Sequence, residues 1–174
     1  MEIAAFNVDV CQDGSTALIT WISKDAYWSS QHNSSSTYPS YGWVNSTLRK
    51  RLQSGGNIYS VIPSEVMNVI KTVRKYDMYY YPGTANIDTK WDKLWIPNKR
   101  EVFGGSDYEH IGPEYTSYFS TRESRIKKLS GTASNWWLRT VNVYNNGFAL
   151  VNQDGNYGTI TPEKTYGVVI GFCT

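Results

Sequence analysis

Two short apolar runs at the start of the chain, residues 2–9 and 16–23, are rich in strand formers, with Gln12-Asp13-Gly14 between them. Asp-Gly is a strong hairpin turn, so the opening predicts a β-hairpin. The pattern then changes. Asn45-Ser46-Thr47 offers N-caps for a short helix through Leu48, Arg49 and Leu52 that stops at Gly55-Gly56. A second helix is predicted from Pro63-Ser64-Glu65, with Val66, Val69, Ile70 and Val73 at helical spacing. From Lys75 onward aromatic strands alternate with loops. Residues 76–81 end at Pro82-Gly83, residues 93–97 form a short buried-strand candidate, and 136–139, 147–152 and 167–172 read as the closing strands. Asp154-Gly155 supplies the turn between the last two. Residues 29–41 and 104–121 show no periodicity and are expected to be long polar loops, the kind that carry function in compact domains. No repeat or linker divides the chain, so residues 1–174 are expected to form one α+β domain. Met1 leads directly into a strand-like run, as expected of a domain belonging to a longer protein.

Composition narrows the function classes. Charged residues are 18% of the chain, and Tyr (14), Trp (7), Asn and Ser take their place. Tyr offers large contact area at low entropic cost, and Asn and Ser offer adaptable hydrogen bonds, so such a surface suits recognition. It equally suits a turn-rich β protein. The net charge of +2, from 17 basic and 15 acidic side chains, gives no field that would draw nucleic acid. The basic runs Arg49-Lys50-Arg51 and 122–128 read as solvated faces. No run approaches the ~18 apolar residues of a membrane span. Cys11 and Cys173 sit near opposite ends, where pairing of the terminal strands could join them or leave two buried thiols.

The closing third follows a specific pattern: Asn135-Trp136-Trp137-Leu138-Arg139-Thr140, then Phe148-Ala149-Leu150-Val151 with Asp154-Gly155, then Tyr166-Gly167-Val168-Val169-Ile170-Gly171-Phe172-Cys173. With Ile19 to Lys24, Gly42-Trp43, Pro63 to Val73, Asp92-Lys93-Leu94-Trp95 and Glu101-Val102-Phe103-Gly104, this order resembles a functionally uncharacterised domain family of bacterial surface proteins and phage genes. The ending is similar in turn to that of the C-type-lectin-like superfamily, which includes sulfatase-modifying factors and the variable proteins of diversity-generating retroelements. That resemblance implies an α+β, C-type-lectin-like fold, with two short helices packed on a small antiparallel sheet and long irregular loops. Within it, Trp136 and Trp137 alternate across a strand, and Gly167 and Gly171 permit close backbone approach. Arg139 would either clamp a loop through its carbonyls or meet an anionic ligand.

Catalytic chemistry finds little support. The histidines, His32 and His110, lie in no nucleophile motif, and Glu101, Asp107, Glu109 and Glu114 make a carboxylate cluster no tighter than chance. The oxidase branch of the superfamily uses neighbouring cysteines, which Cys173 lacks. The calcium-binding motifs of its lectins are absent, so neither a metal nor a cofactor is expected. What remains is the stretch between the closing strands, where Asn142, Tyr144, Asn145, Asn146, Asn152, Asn156 and Tyr157 are either good turn formers or a displayed binding surface. In retroelement-diversified proteins such asparagines are mutagenesis targets. The first expectation is therefore a non-catalytic adhesion or recognition module of a bacterial surface or phage protein, holding a protein or glycan through residues 104–121 and 140–159. The second is a structural virion or pilus-tip component. A formylglycine-generating type of enzyme comes last.

Overall fold

The computed structural model describes residues 1–34, 42–81, 84–105, 111–142 and 147–174, with backbone alone for 78–81, 84–86 and 88. The elements begin with β1 (Glu2–Phe6), β2 (Ile19–Ile22), β3 (Trp28–Gln31), α1 (Thr47–Leu52), α2 (Ser64–Val69), β4 (Val73–Tyr81) and β5 (Thr84–Asp92). Next come α3 (Lys99–Phe103), α4 (Arg122–Arg125), β6 (Lys127–Leu129), β7 (Thr132–Ser134) and β8 (Trp136–Asn142). The chain closes with β9 (Gly147–Val151), β10 (Tyr157–Ile160), β11 (Thr165–Val168) and β12 (Gly171–Cys173).

The opening hairpin forms, and the last strand completes it: β1, β2 and β12 make an antiparallel three-stranded sheet with β2 in the middle. The second sheet runs β10-β9-β8-β11-β3, with β11 parallel to β8 and antiparallel to β3. Two hairpins, β4-β5 and β6-β7, are sheets of their own. The fold expected from the lectin-like resemblance is thereby corrected. The chain is mostly β, 39% strand against 18% helix, in four small sheets, and it is not an α+β C-type-lectin-like arrangement of two helices on one sheet.

Local physics explains the departures. The second helix ends at Val69, and Val73, expected at its far end, instead starts β4, where it pairs with Asp92 and packs fully buried. β-branched residues fit a pleated surface better than a helix, and here tertiary pairing decides. Residues 167–172 divide between β11 and β12, so the apparent single closing strand serves two sheets. Of residues 93–97, Lys93 and Leu94 form a bend and 94–97 are buried, but they join no strand, and Trp95 meets the closing strand through its bridge to Gly171.

One hydrophobic cluster draws from Ala4 at one end to Cys173 at the other. Strand β8 lies at its heart. Trp136 and Trp137 alternate across it as expected, yet both are fully buried, because each face of the sheet is covered. The Trp136 indole N–H donates to the Arg125 carbonyl (2.9 Å) and that of Trp137 to the Ser30 carbonyl (2.8 Å), so neither polar tip is stranded. Gly171 shows why the final strand needs glycine. A Cβ there would stand 2.4 Å from the buried Trp95 ring, while Gly171 and Trp95 exchange both backbone hydrogen bonds. Gly171→Ala should therefore lower stability by about 2–3 kcal/mol, read as a reduced urea midpoint at unchanged slope.

Candidate functional site

Two clusters collect the charged and aromatic residues. The first is sealed inside. Arg139 forks onto Glu101, Nη1 to Oε2 and Nη2 to Oε1, both at 2.8 Å, and also donates to the carbonyls of Ile96 and Tyr76. Lys75 joins Glu101 at 3.2 Å to Asp9 at 2.6 Å and donates to the Tyr115 hydroxyl at 2.6 Å, with its ammonium 3.4 Å from the Trp95 ring centroid. The Thr20 hydroxyl donates to Asp9 and lies 3.6 Å from the Cys173 sulfur. Asp9, Lys75, Glu101 and Arg139 are all buried, two charges of each sign. Burial by itself would raise the Asp9 carboxyl, but the Lys75 charge and the hydrogen bonds of Lys75, Thr20 and Tyr115 hold it below the usual range. Burial also lifts the Tyr115 phenol, helped by the charges of Glu101 and Asp9. Of the two roles open to Arg139, the geometry shows the clamp: its donors close on carbonyls and on Glu101, away from solvent.

This cluster is positioned by α3. Asn98 caps the helix by accepting from the Glu101 N–H, and the Glu101 carboxylate returns to the Asn98 N–H, a reciprocal capping box that aims Glu101 inward. The sequence carried that signal in Asn98-Lys99-Arg100-Glu101, where an Asn stands three residues before a Glu.

Among the described residues the histidine and both cysteines are withdrawn from solvent. His32 is fully buried in an aromatic box, stacked on Phe148 with centroids 3.5 Å apart and edge-on to Trp43 and Trp137. Neither ring nitrogen has a hydrogen-bond partner of good geometry. Burial drives the imidazole down to about 3, against a weaker upward pull from the carbonyls of His32 and Leu138. Cys11 and Cys173 are buried free thiols, and burial pushes Cys173 up to about 12. Asp107, Glu109 and His110 lie outside the described residues. Among the described residues no three His, Cys, Asp or Glu side chains are grouped to hold a metal ion.

The second cluster faces solvent. Tyr157 opens β10 with its ring 39% exposed, edge-on to Phe103 of α3 at 5.9 Å between centroids. The Lys99 ammonium lies 5.2 Å from the Tyr157 centroid, and the Arg125 guanidinium 4.9 Å from that of Phe103. The Lys99 N–H donates to the Thr140 hydroxyl near the end of β8, which joins α3 to the strand that ends at half-buried Asn142. Arg125 Nε in turn holds the Gly155 carbonyl.

Of the asparagines and tyrosines singled out in the sequence, Tyr157 and exposed Asn156 lie at this surface, whereas Asn142 ends β8 opposite Gly147, at the far end of β9 from Val151, the partner of Tyr157. Asn152 is a turn builder instead. Its side-chain oxygen accepts from the Asp154 and Asn156 N–H groups, so that residue follows the turn-former reading. Tyr144, Asn145 and Asn146 lie outside the described residues. The stretch 104–121 is less open than its composition suggests. Tyr115 and Phe119 are buried, Arg100 Nε holds the Gly112 carbonyl, and Arg100 pairs with Glu114 at 2.9 Å. Lys99, Phe103 and Arg125 were not anticipated as surface partners, since only the fold brings α3, α4 and β10 together.

Fold and site together define a β-rich domain with a sealed ionic core and, among the described residues, an aromatic surface cluster bordered by cations at Tyr157. The chain belongs to the family described as Domain of unknown function (DUF6273), whose model matches residues 13–173. No curated protein and no solved structure matches it. Among the described residues no helix is long and apolar enough to cross a membrane.

Proposed function

We propose that this chain is a non-catalytic recognition module of a bacterial surface or phage protein, and that it binds glycan at the surface centred on Tyr157. The observation that carries this reading is the junction of Tyr157, Phe103 and Lys99. It sets Tyr157, from the stretch 140–159 expected to bind, against Phe103 and Lys99 of α3, which precedes the stretch 104–121. A single partly exposed ring bordered by Asn156 and Lys99 suits a sugar, whose C–H face stacks on the ring while its hydroxyls bond the polar rim. A protein partner would call for a broader desolvated patch. The burial of His32, Cys11 and Cys173 favours binding over catalysis, because none of these groups can reach a substrate.

A glycan array followed by titration of the strongest hit tests the proposal. Tyr157→Ala should weaken binding at least about tenfold, close to 1.4 kcal/mol, with Tyr157→Phe near native. Binding that survives Tyr157→Ala in a folded variant would refute the site. Absence of any glycan hit, with capture of a protein ligand that depends on Tyr157, would move the reading to protein recognition.

A further inference from the structure

Among the described residues the outer face of the β1-β2-β12 sheet is left partly open. Two cross-strand rows line it, Ile3–Trp21–Phe172 and Phe6–Ile19, the latter extended by Thr174, which exchanges backbone hydrogen bonds with Ile19. Ile3 is 42% exposed and Phe6 60%, and Leu18 beside them is 67% exposed, while Ile19, Trp21 and Phe172 are half-buried. No charged side chain belongs to either row. Glu2 is in register with buried Ile22 on the opposite face and accepts from the Tyr118 hydroxyl. A bulge between Ile3 and Ala5 makes the face what it is. Residues three apart on a regular strand point to opposite sides, and the extra residue, Ala4, turns both Ile3 and Phe6 outward. β1 is also an edge strand, paired with β2 alone, and it carries no lysine or proline to guard that edge.

We propose that this face is the interface of a homodimer, with a second copy of the chain as its occupant. The exposed parts of Ile3, Phe6, Leu18 and the adjoining Val8 and Val10 sum to roughly 500 Å² per copy, near the top of the range for monomer patches. With the half-buried rings added, a symmetric contact approaches the ~800 Å² per partner of a standard interface. An uncharged apolar face needs a like surface. The other exposed large hydrophobics, such as Tyr27, Val61 and Val69, come from separate elements. The match available on another copy is the same face, related by a two-fold axis. A net charge of +2 adds little repulsion between copies.

Sedimentation equilibrium of the 174-residue chain, from about 1 to 200 µM, tests the proposal. A monomer–dimer equilibrium with Kd on the order of 10 µM is expected, given an interface at the small end of the standard class. Phe6→Asp and Leu18→Asp, at positions more than half exposed, should each abolish the dimer with the circular dichroism spectrum unchanged. Ile3→Lys provides a third variant should either fail to fold. Val69→Asp, on an exposed site of α2, should leave the dimer intact. A native chain that stays monomeric at about 200 µM overturns the proposal, as does a dimer that survives in folded Phe6→Asp and Leu18→Asp.

Discussion

Arg139→Met should cost about 3–5 kcal/mol of stability, the usual penalty for removing one partner of a buried ion pair. Methionine replaces the stem well, so the loss comes from what the guanidinium leaves behind. Glu101 would keep Lys75 at 3.2 Å and the Asn98 N–H but lose a two-pronged cation at 2.8 Å. The carbonyls of Ile96 and Tyr76 would lose a donor in the same step. The buried cluster would then hold two carboxylates and one ammonium, an uncompensated charge at a site without water access. Arg139→Lys should recover little, because a point charge cannot satisfy both oxygens of Glu101 and two carbonyls at once. Adding Glu101→Gln to Arg139→Met removes the stranded charge, so the double variant should be less destabilised than the sum of the singles by at least about 1 kcal/mol. Urea unfolding of Arg139→Met, Arg139→Lys, Glu101→Gln and the double variant measures this. An Arg139→Met cost below about 1 kcal/mol would show that the cluster is not acting as a closed ionic unit.

His32 makes the fold sensitive to acid. Its imidazole is held near 3 in the folded chain, while an unfolded histidine titrates near 6.5. Because the folded value is the lower one, the unfolded chain takes up the proton first as pH falls. Stability is therefore fully present above pH 6.5 and drains between 6.5 and about 3, at about 1.4 kcal/mol per pH unit. The loss approaches about 4 kcal/mol at the acid end, and about 2–3 kcal/mol of it falls between pH 6.5 and 4.5, before most carboxylates protonate. Asp9, also held low, adds its share only at still lower pH. His32→Phe keeps an aromatic ring in the box of Trp43, Trp137 and Phe148 and removes the titration. Its unfolding midpoint should be nearly flat from pH 7.5 to 4.5, whatever offset repacking introduces, while the native midpoint falls. Parallel slopes for the two proteins would mean that His32 becomes protonated without unfolding.

These two residues also show what a sequence withholds. Arg139 was legible as a strand residue with two open roles, and its clamp role became definite only when Glu101, Tyr76 and Ile96 were seen around it. His32 read as an ordinary loop histidine in a serine-rich stretch. Nothing local reveals that Phe148, more than a hundred positions away, lies flat against it. Tyr157 was singled out among asparagines that read equally as turn formers, and Lys99 and Phe103, which give it a setting, come from a helix announced only by the Asn98 and Glu101 capping pair.

Local chemistry determined the pieces. Strand-forming residues and Asp-Gly marked β1 and β2, Ser46 capped α1, and the Trp-Trp strand and its glycines marked the closing segment. Tertiary structure alone decided how they combine. The resemblance of the ending to lectin-like proteins did not carry the architecture with it, because strand order and sheet membership depend on non-local pairing. Val73 had helical spacing yet became a strand when Asp92 came opposite it, and residues 167–172 divided between two sheets because β8 and β2 lay on different sides. A side chain's period says which of its faces is apolar. Which neighbour covers that face, as Trp95 covers Gly171 while Phe6 stays 60% exposed, is settled only when distant segments meet.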